Sequence, residues 1–134
     1  MAEFIANDVQ TVAIGSNVLF TDVVVPPCPC VRHRAGSGIF TLRGGHTYVV
    51  GFSANVSGDT ADTEVTLSLA IGGEELIGAR MARTPSTAGA YNNVATFAII
   101  EVPCGCCYTL SVENVGLVPA DVATSNLVIF REDK

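Results

Sequence analysis

Tryptophan is absent from this chain, and charged residues supply only 15% of it, against about 25% in an average soluble domain. No apolar run approaches the roughly 18 to 20 residues of a spanning helix. No segment carries a capped apolar stripe of 3.6-residue period. Neither a membrane helix nor a helical bundle is therefore expected. The scarce charge sums to −6, which disfavours nucleic acid or an anionic membrane as partner, because both reward a basic face. The opening "MAEFIANDVQ" has an acid at Glu3 and no long apolar core. A secretory leader is not expected from it, and cytoplasmic synthesis with reduced thiols is.

What is abundant is apolar surface. Hydrophobic residues make up 49% of 134 positions. One domain of this length buries about two-thirds of its unfolded surface without help from metal or disulfides. A soluble chain this apolar is expected to hide the remainder in an oligomer.

The dominant period is two. In "TEVTLSLAI", Val65, Leu67, Leu69 and Ile71 alternate with Glu64, Thr66 and Ser68. In "YVVGFSANV" and "CYTLSVEN", Tyr48, Val50, Phe52, Ala54 and Val56, then Tyr108, Leu110 and Val112, form the inward sets. Such alternation predicts half-buried antiparallel strands with the polar residues outside. Turn signals separate them: "IGSN", "RGGH", "SGDT", "IGGEE", "VPCG" and "NVG". Gly72-Gly73 suits a tight hairpin, and Pro103 with Gly105 marks a second hairpin corner. Eight to ten short strands of this kind predict an all-β sandwich or jelly roll. Residues 1–15 are set apart as an N-terminal arm or first strand, and 16–134 form the domain.

Two strands are apolar on both sides. In "NVATFAIIEV", Val94, Ala98, Ile100 and Val102 oppose Ala95, Phe97 and Ile99. In "NLVIF", Leu127 and Ile129 oppose Val128 and Phe130. A strand apolar on both faces is covered on both faces, by another subunit or by a loop. The interface residues expected from the first reading are Phe97, Ile99, Ile100, Leu127 and Ile129.

The order of these elements resembles the C1q/TNF-like jelly rolls. "SGIFTLRGGHTYVVGFSANV" is similar to their strand, Gly turn and aromatic strand, and "VTLSLAIGGEELIGARM" to their hairpin. "NNVATFAIIEVPCGCCYTLSVENVG" and "SNLVIF" resemble the later hairpin and the closing strand. The resemblance spans residues 20–130 and implies an antiparallel jelly roll assembled as a homotrimer around a hydrophobic axis. Residues 1–19 contain no Gly-X-Y repeat, so a C1q-type defence protein is not expected.

"NVLFTDVVVPPC", "HRAGSGIFTLRG" and "VPCGCCYTLSVEN" further resemble small proteins encoded near phage structural genes. That resemblance implies a virion protein on the capsid surface, made in the bacterial cytoplasm. Its partners would be itself and the major capsid protein or another virion protein. A carbohydrate- or receptor-binding module of a tail fibre or bacterial surface is the alternative, although exposed loop aromatics, of which Tyr91 is the obvious example, are few.

Five cysteines form two clusters, Cys28/Cys30 and Cys104/Cys106/Cys107. The odd count leaves at least one unpaired within the chain. Structural zinc prefers paired C-x(2-4)-C ligands, and adjacent Cys106 and Cys107 point to opposite sides of a strand. Cys106 shares the parity of Tyr108 and Leu110. Four readings remain open: reduced apolar filler, one disulfide between the clusters, a metal, or intermolecular disulfides. No cofactor is expected.

Cationic and titratable groups gather in "VRHRAGSGIFTLRGGH", with Arg32, His33, Arg34, Arg43 and His46. They read either as a contact with an acidic capsid shell, joined by Phe4 and Ile5 of the arm, or as a charged edge strand that discourages pairing. Catalysis is not expected. Ser37 lacks the frame of a nucleophile elbow, Gly36-Ser37-Gly38 has no lysine and helix behind it, and Glu74-Glu75 sits in a turn. Asp59, Asp62 and Asp121 lack calcium-loop spacing. The sequon at Asn55 requires a secretory route.

Overall fold

A computed structural model of the chain describes residues 2–6, 8–25, 31–33, 36–58, 62–84, 87 and 89–132. Among these residues there are eleven strands and no helix. They are β1 (Ala2–Ala6), β2 (Gln10–Val12), β3 (Asp22–Val25), β4 (Val31–His33), β5 (Phe40–Arg43), β6 (His46–Ser57), β7 (Val65–Ile71), β8 (Glu74–Arg83), β9 (Asn92–Val102), β10 (Cys107–Asn114) and β11 (Ala120–Glu132). The count exceeds the expected eight to ten because β2 and β4 have three residues each, too few to display a period.

The first sheet runs β3-β1-β11-β6-β9, with β2 also beside β11; the second runs β4-β5-β10-β7-β8. All pairings are antiparallel. From β5 onward the chain passes repeatedly between sheets, and only β7 and β8 pair as a tight hairpin. This is jelly-roll wiring. Gly72 and Gly73 close that hairpin with φ of 62° and 85°, the left-handed pair that a primed two-residue turn requires.

The core follows the period-two pattern. Tyr48, Val50, Phe52, Ala54 and Val56 of β6 face Leu67, Leu69, Leu110 and Val112 of the second sheet as members of one buried cluster. Each large apolar side chain buried in this way contributes about 1.5–3 kcal/mol. Val94, Ile100 and Val102 of β9 and Leu127 and Ile129 of β11 belong to the same cluster.

Three expected interface residues are corrected by this packing. Ile100, Leu127 and Ile129 fill the protomer's own interior, so they are not surface groups. Phe97 and Ile99, of opposite parity on β9, lie outside.

Of the two readings of the N-terminal segment, arm or first strand, the strand describes residues 2–6. Strand β1 lies between β3 and β11, and Phe4 is fully buried with ring centroids 4.7 Å from Phe40 and 4.8 Å from His33. Phe4 therefore cannot touch a capsid. Strand parity, which turns Glu3 and Ile5 outward, sends it inward.

Strand β11 changes partner along its length, pairing β2 through residues 120–122 and β1 from Ser125 onward. An irregularity between Ala123 and Asn126, with Thr124 at φ 52°, accommodates the change. In β7, Thr66 and Ser68 are buried, contrary to their expected outward exposure. Ser68 is short and stands opposite the long Arg80 of β8, which is fixed to Glu75 by bonds of 2.6 and 2.9 Å. Those bonds hold the Glu75 carboxyl below its ordinary range.

The Pro103–Gly105 turn is not a hairpin. Strand β9 belongs to the first sheet and β10 to the second, so the turn is a corner between sheets. It is closed by Cys106 N–H donating to Pro103 O at 3.2 Å, with Gly105 at φ 82°.

Candidate functional site

The outer face of the first sheet carries the largest exposed apolar side chains in register. Phe130, Val49 and Ile99 form one cross-strand row over β11, β6 and β9, and Val128, Gly51 and Phe97 form the next. Phe97 and Ile99 are each 75% exposed and Phe130 is 50% exposed. Gly51 makes room for this surface: a Cβ there would meet Phe97 Cζ at 3.0 Å, so the phenyl ring tip lies over the glycine.

Polar groups frame the patch. Towards the sheet-to-sheet corner the next row is Thr47 and Glu101. On the other side lie Asn126, Ser53 and Ala95. Asn126 Nδ2 donates to Glu3 Oε2 at 2.7 Å, and Glu3 occupies the position beside Val128 on β1. Leaving two large apolar groups in water on a long strand forgoes several kcal/mol. Contiguous apolar surface of this kind marks interaction surfaces.

At one end of the sandwich lies the thiol corner. Cys104, Cys106 and Cys107 are exposed and free. The reading of these three as buried filler is thereby corrected, and Cys106 does not share the burial of Leu110. The corner projects past the packed interior, where strand parity no longer decides burial. It is seated on the β5–β6 turn, where Gly45 N–H donates to Val102 O at 2.8 Å. Cys28 and Cys30 lie outside the described residues. Among the described residues no group of three or more His, Cys, Asp or Glu side chains is placed to hold a metal ion.

No family model and no curated protein matches the sequence. Solved structures do match. The chain is similar to an Eiger TNF structure from S. frugiperda with a TM-score of 0.71 and 13% identity, covering 99% of this chain and 92% of that one. It is similar to murine APRIL with TM-scores of 0.67 and 0.64, again at 13% identity, covering 96% of this chain and 98% of each of those. The chain has the TNF-like jelly-roll fold. At such identity the likeness carries the architecture and no function.

Within this TNF-like sandwich the cationic cluster is dispersed. Arg32 is exposed on β4, an edge strand of the second sheet, while Arg43 and His46 sit at the thiol corner. His33 is drawn inward. It stacks on Phe40 with centroids 4.3 Å apart, and its Nε2–H donates to Ser37 O at 2.8 Å. Its aromatic environment was hidden from the sequence because Phe4 arrives from a different strand. Arg34 lies outside the described residues. Ile5 is half-buried on the outer face of β1.

An open cleft of about 580 Å³ runs between residues 10–19 and 37–39, lined by Gln10, Leu19, Ser37 and Ile39 among others. None of its lining residues is an acid, base or thiol, so it offers shape and amide groups without proton-transfer chemistry. Gln10 occupies part of it. Its side-chain amide accepts from Leu19 N–H and donates to Leu19 O, both at 2.8 Å.

Proposed function

We propose that the chain is a self-assembling, non-enzymatic structural module: a homotrimer that decorates or cements a bacteriophage capsid. The observation that carries self-assembly is the exposure of Phe97 and Ile99 on a strand whose other face is already buried. Covering them recovers about 1.5–3 kcal/mol for each side chain. The C1q/TNF-like resemblance implies that the cover is a threefold set of copies, which closes and does not grow.

Attachment to a capsid rests on the resemblance of "NVLFTDVVVPPC" and its companion segments to proteins encoded beside phage structural genes. Of the groups first expected to reach the shell, Arg32 is exposed on its edge strand and Ile5 borders the assembly face. Three weak contacts on one trimer would bind far more tightly than one.

Sedimentation velocity tests the first step. A species of three times the 13.9 kDa chain mass is expected, and the Phe97→Asp/Ile99→Asp pair should yield a folded monomer. A monomeric wild type at high concentration overturns the reading. Electron microscopy of particles then tests the second, with trimers expected at lattice positions of the shell. Glycan binding by the free trimer, with no shell occupancy, would move it to the tail-fibre class.

A further inference from the structure

The outer face of the second sheet differs in kind from that of the first. Along β10 the outward set is Thr109, Ser111 and Glu113, opposite in parity to fully buried Leu110 and Val112. These three line a trough of about 400 Å³, with Asn17 and Ile39 on one side of β10 and the Gly72-Gly73 turn on the other. Small-molecule sites span roughly 300–1,000 Å³. Both walls are fixed by the fold. Val18 N–H donates to Val112 O at 2.8 Å and Asn114 N–H to Ser16 O at 2.9 Å, which holds residues 16–18 along β10. Gly38 lets that segment close against Ile39, since a Cβ there would stand 2.8 Å from both Asn17 Cβ and Val18 O. On the other side Gly72 N–H donates to Thr109 O at 2.9 Å. A ligand therefore meets walls already in place, and little ordering opposes its binding.

The polar side chains of the trough are uncommitted. Among the described residues, those of Asn17, Thr109 and Glu113 have no hydrogen-bond or ion-pair partner, and no Lys, Arg or His lines the trough. Their chemistry selects the ligand. A carboxylate only accepts hydrogen bonds, whereas an amide and a hydroxyl both donate and accept. An anion would be repelled by Glu113, and an ammonium has no acceptor to offer the Asn17 amide. Hydroxyl groups on a neutral ring satisfy all three side chains. Ile39, 48% exposed, supplies an apolar edge for the ring's C–H groups. Asn17 and Ile39 also line the cleft between residues 10–19 and 37–39, so the two hollows adjoin and together have room for more than one ring.

We propose that the trough over β10 binds a neutral oligosaccharide, with Glu113 and Asn17 as its hydrogen-bonding residues and Ile39 as its apolar contact. The site does not depend on self-assembly, because it lies on the second sheet and Phe97 and Ile99 lie on the first. Charge-assisted bonds from sugar hydroxyls to Glu113 are the strongest contacts available there.

The test presents the full chain to an array of neutral, acidic and amino-substituted oligosaccharides. The strongest neutral glycan is then titrated into isotope-labelled protein while backbone amide shifts are followed. Saturable binding is expected, with shifts concentrated at Asn17, Ile39, Gly72, Thr109 and Glu113. The Phe97→Asp/Ile99→Asp pair should bind as the wild type does. Glu113→Gln and Asn17→Ala should each weaken binding about tenfold, with wild-type circular dichroism. Retention of no neutral glycan overturns the proposal, as do shifts that map elsewhere or wild-type affinity in Glu113→Gln. Capture of amine-bearing ligands alone also overturns it and reassigns the trough to a cation. A stable oligomer that binds no glycan refutes the site alone, and a monomer that binds glycan refutes self-assembly alone.

Discussion

The tip of the Phe97 ring lies over Gly51, its cross-strand partner on β6, and a Cβ on Gly51 would come within 3.0 Å of Phe97 Cζ. The obstructing atoms belong to the far end of an exposed side chain that can swing aside. Gly51→Ala should therefore leave the fold intact, or stabilise it by about 0.5–1 kcal/mol, because glycine weakens a strand interior. The displaced ring should reshape the outer face, and association should weaken. Denaturant midpoint and sedimentation measured on the same variant check the split. A large loss of stability would show that the Phe97 ring is held in place by more than Gly51.

The sequence makes the two-sidedness of β9 legible but not its orientation. Alternation is a local property, so Phe97 and Ile99 separate cleanly from Val94, Ile100 and Val102. Which set faces inward is decided by the opposing sheet, and both sets are apolar. Ile100, Leu127 and Ile129 were accordingly expected at an interface and lie in the core. Phe4 and Ile5 present the same ambiguity. The turn at Pro103–Gly105 is equally plain as a turn, yet nothing local says that the next strand joins the other sheet. Gly72-Gly73 is legible in full because a two-residue hairpin encodes its own pairing.

The two corners that meet beside the thiols predict an ordering among glycines. A Cβ at Gly44 would fall on the carbonyl oxygens of Pro103 and Cys106, backbone atoms that cannot rotate away. At Gly105 no atom lies within 4 Å, and only its φ of 82° opposes a side chain. Gly44→Ala should cost several kcal/mol or abolish folding, as strained core changes do. Gly105→Ala should cost about 1–2 kcal/mol, the ordinary strain of a left-handed residue. Thermal melting of the pair gives the ranking, and equal losses would contradict the packing of the two corners.

Tyr48 predicts an alkaline limit to stability. Its hydroxyl donates to Arg43 O at 2.7 Å. Burial pushes the phenol above its ordinary 10, against the opposing pull of Arg131. A raised folded-state value means that the neutral phenol is preferred in the fold. Its contribution is present below about pH 10 and is lost as pH rises through the folded-state value. Tyr48→Phe should cost about 0.5–1.5 kcal/mol at neutral pH and soften the decline above pH 10. Ultraviolet difference titration of the wild type against Tyr48→Phe should show a phenol ionising above pH 10 that the variant lacks, and the absence of such a late step would contradict it.

Asn114 is the residue whose importance the sequence conceals most, since "VEN" reads as an ordinary strand end. It is fully buried, and its amide joins three segments. Nδ2 donates to Val12 O at 2.9 Å and to Val118 O at 3.0 Å, while Oδ1 accepts from Gly116 N–H at 2.9 Å. Its backbone holds the 13–16 turn as well, by Gly15 N–H to Asn114 O and Asn114 N–H to Ser16 O, both at 2.9 Å. Asn114→Ala removes the side-chain bonds and strands two carbonyls and an amide near the interior, at about 1–3 kcal/mol for each group that water cannot reach. Asn114→Asp keeps the acceptor but sets a carboxylate against two carbonyl oxygens, which repels where the amide attracted. The Asp variant should therefore be at least as damaging as the Ala variant at neutral pH and recover in acid as the carboxyl takes a proton and regains one donor. Chemical denaturation of both variants at about pH 7 and pH 4 checks the order and its partial reversal.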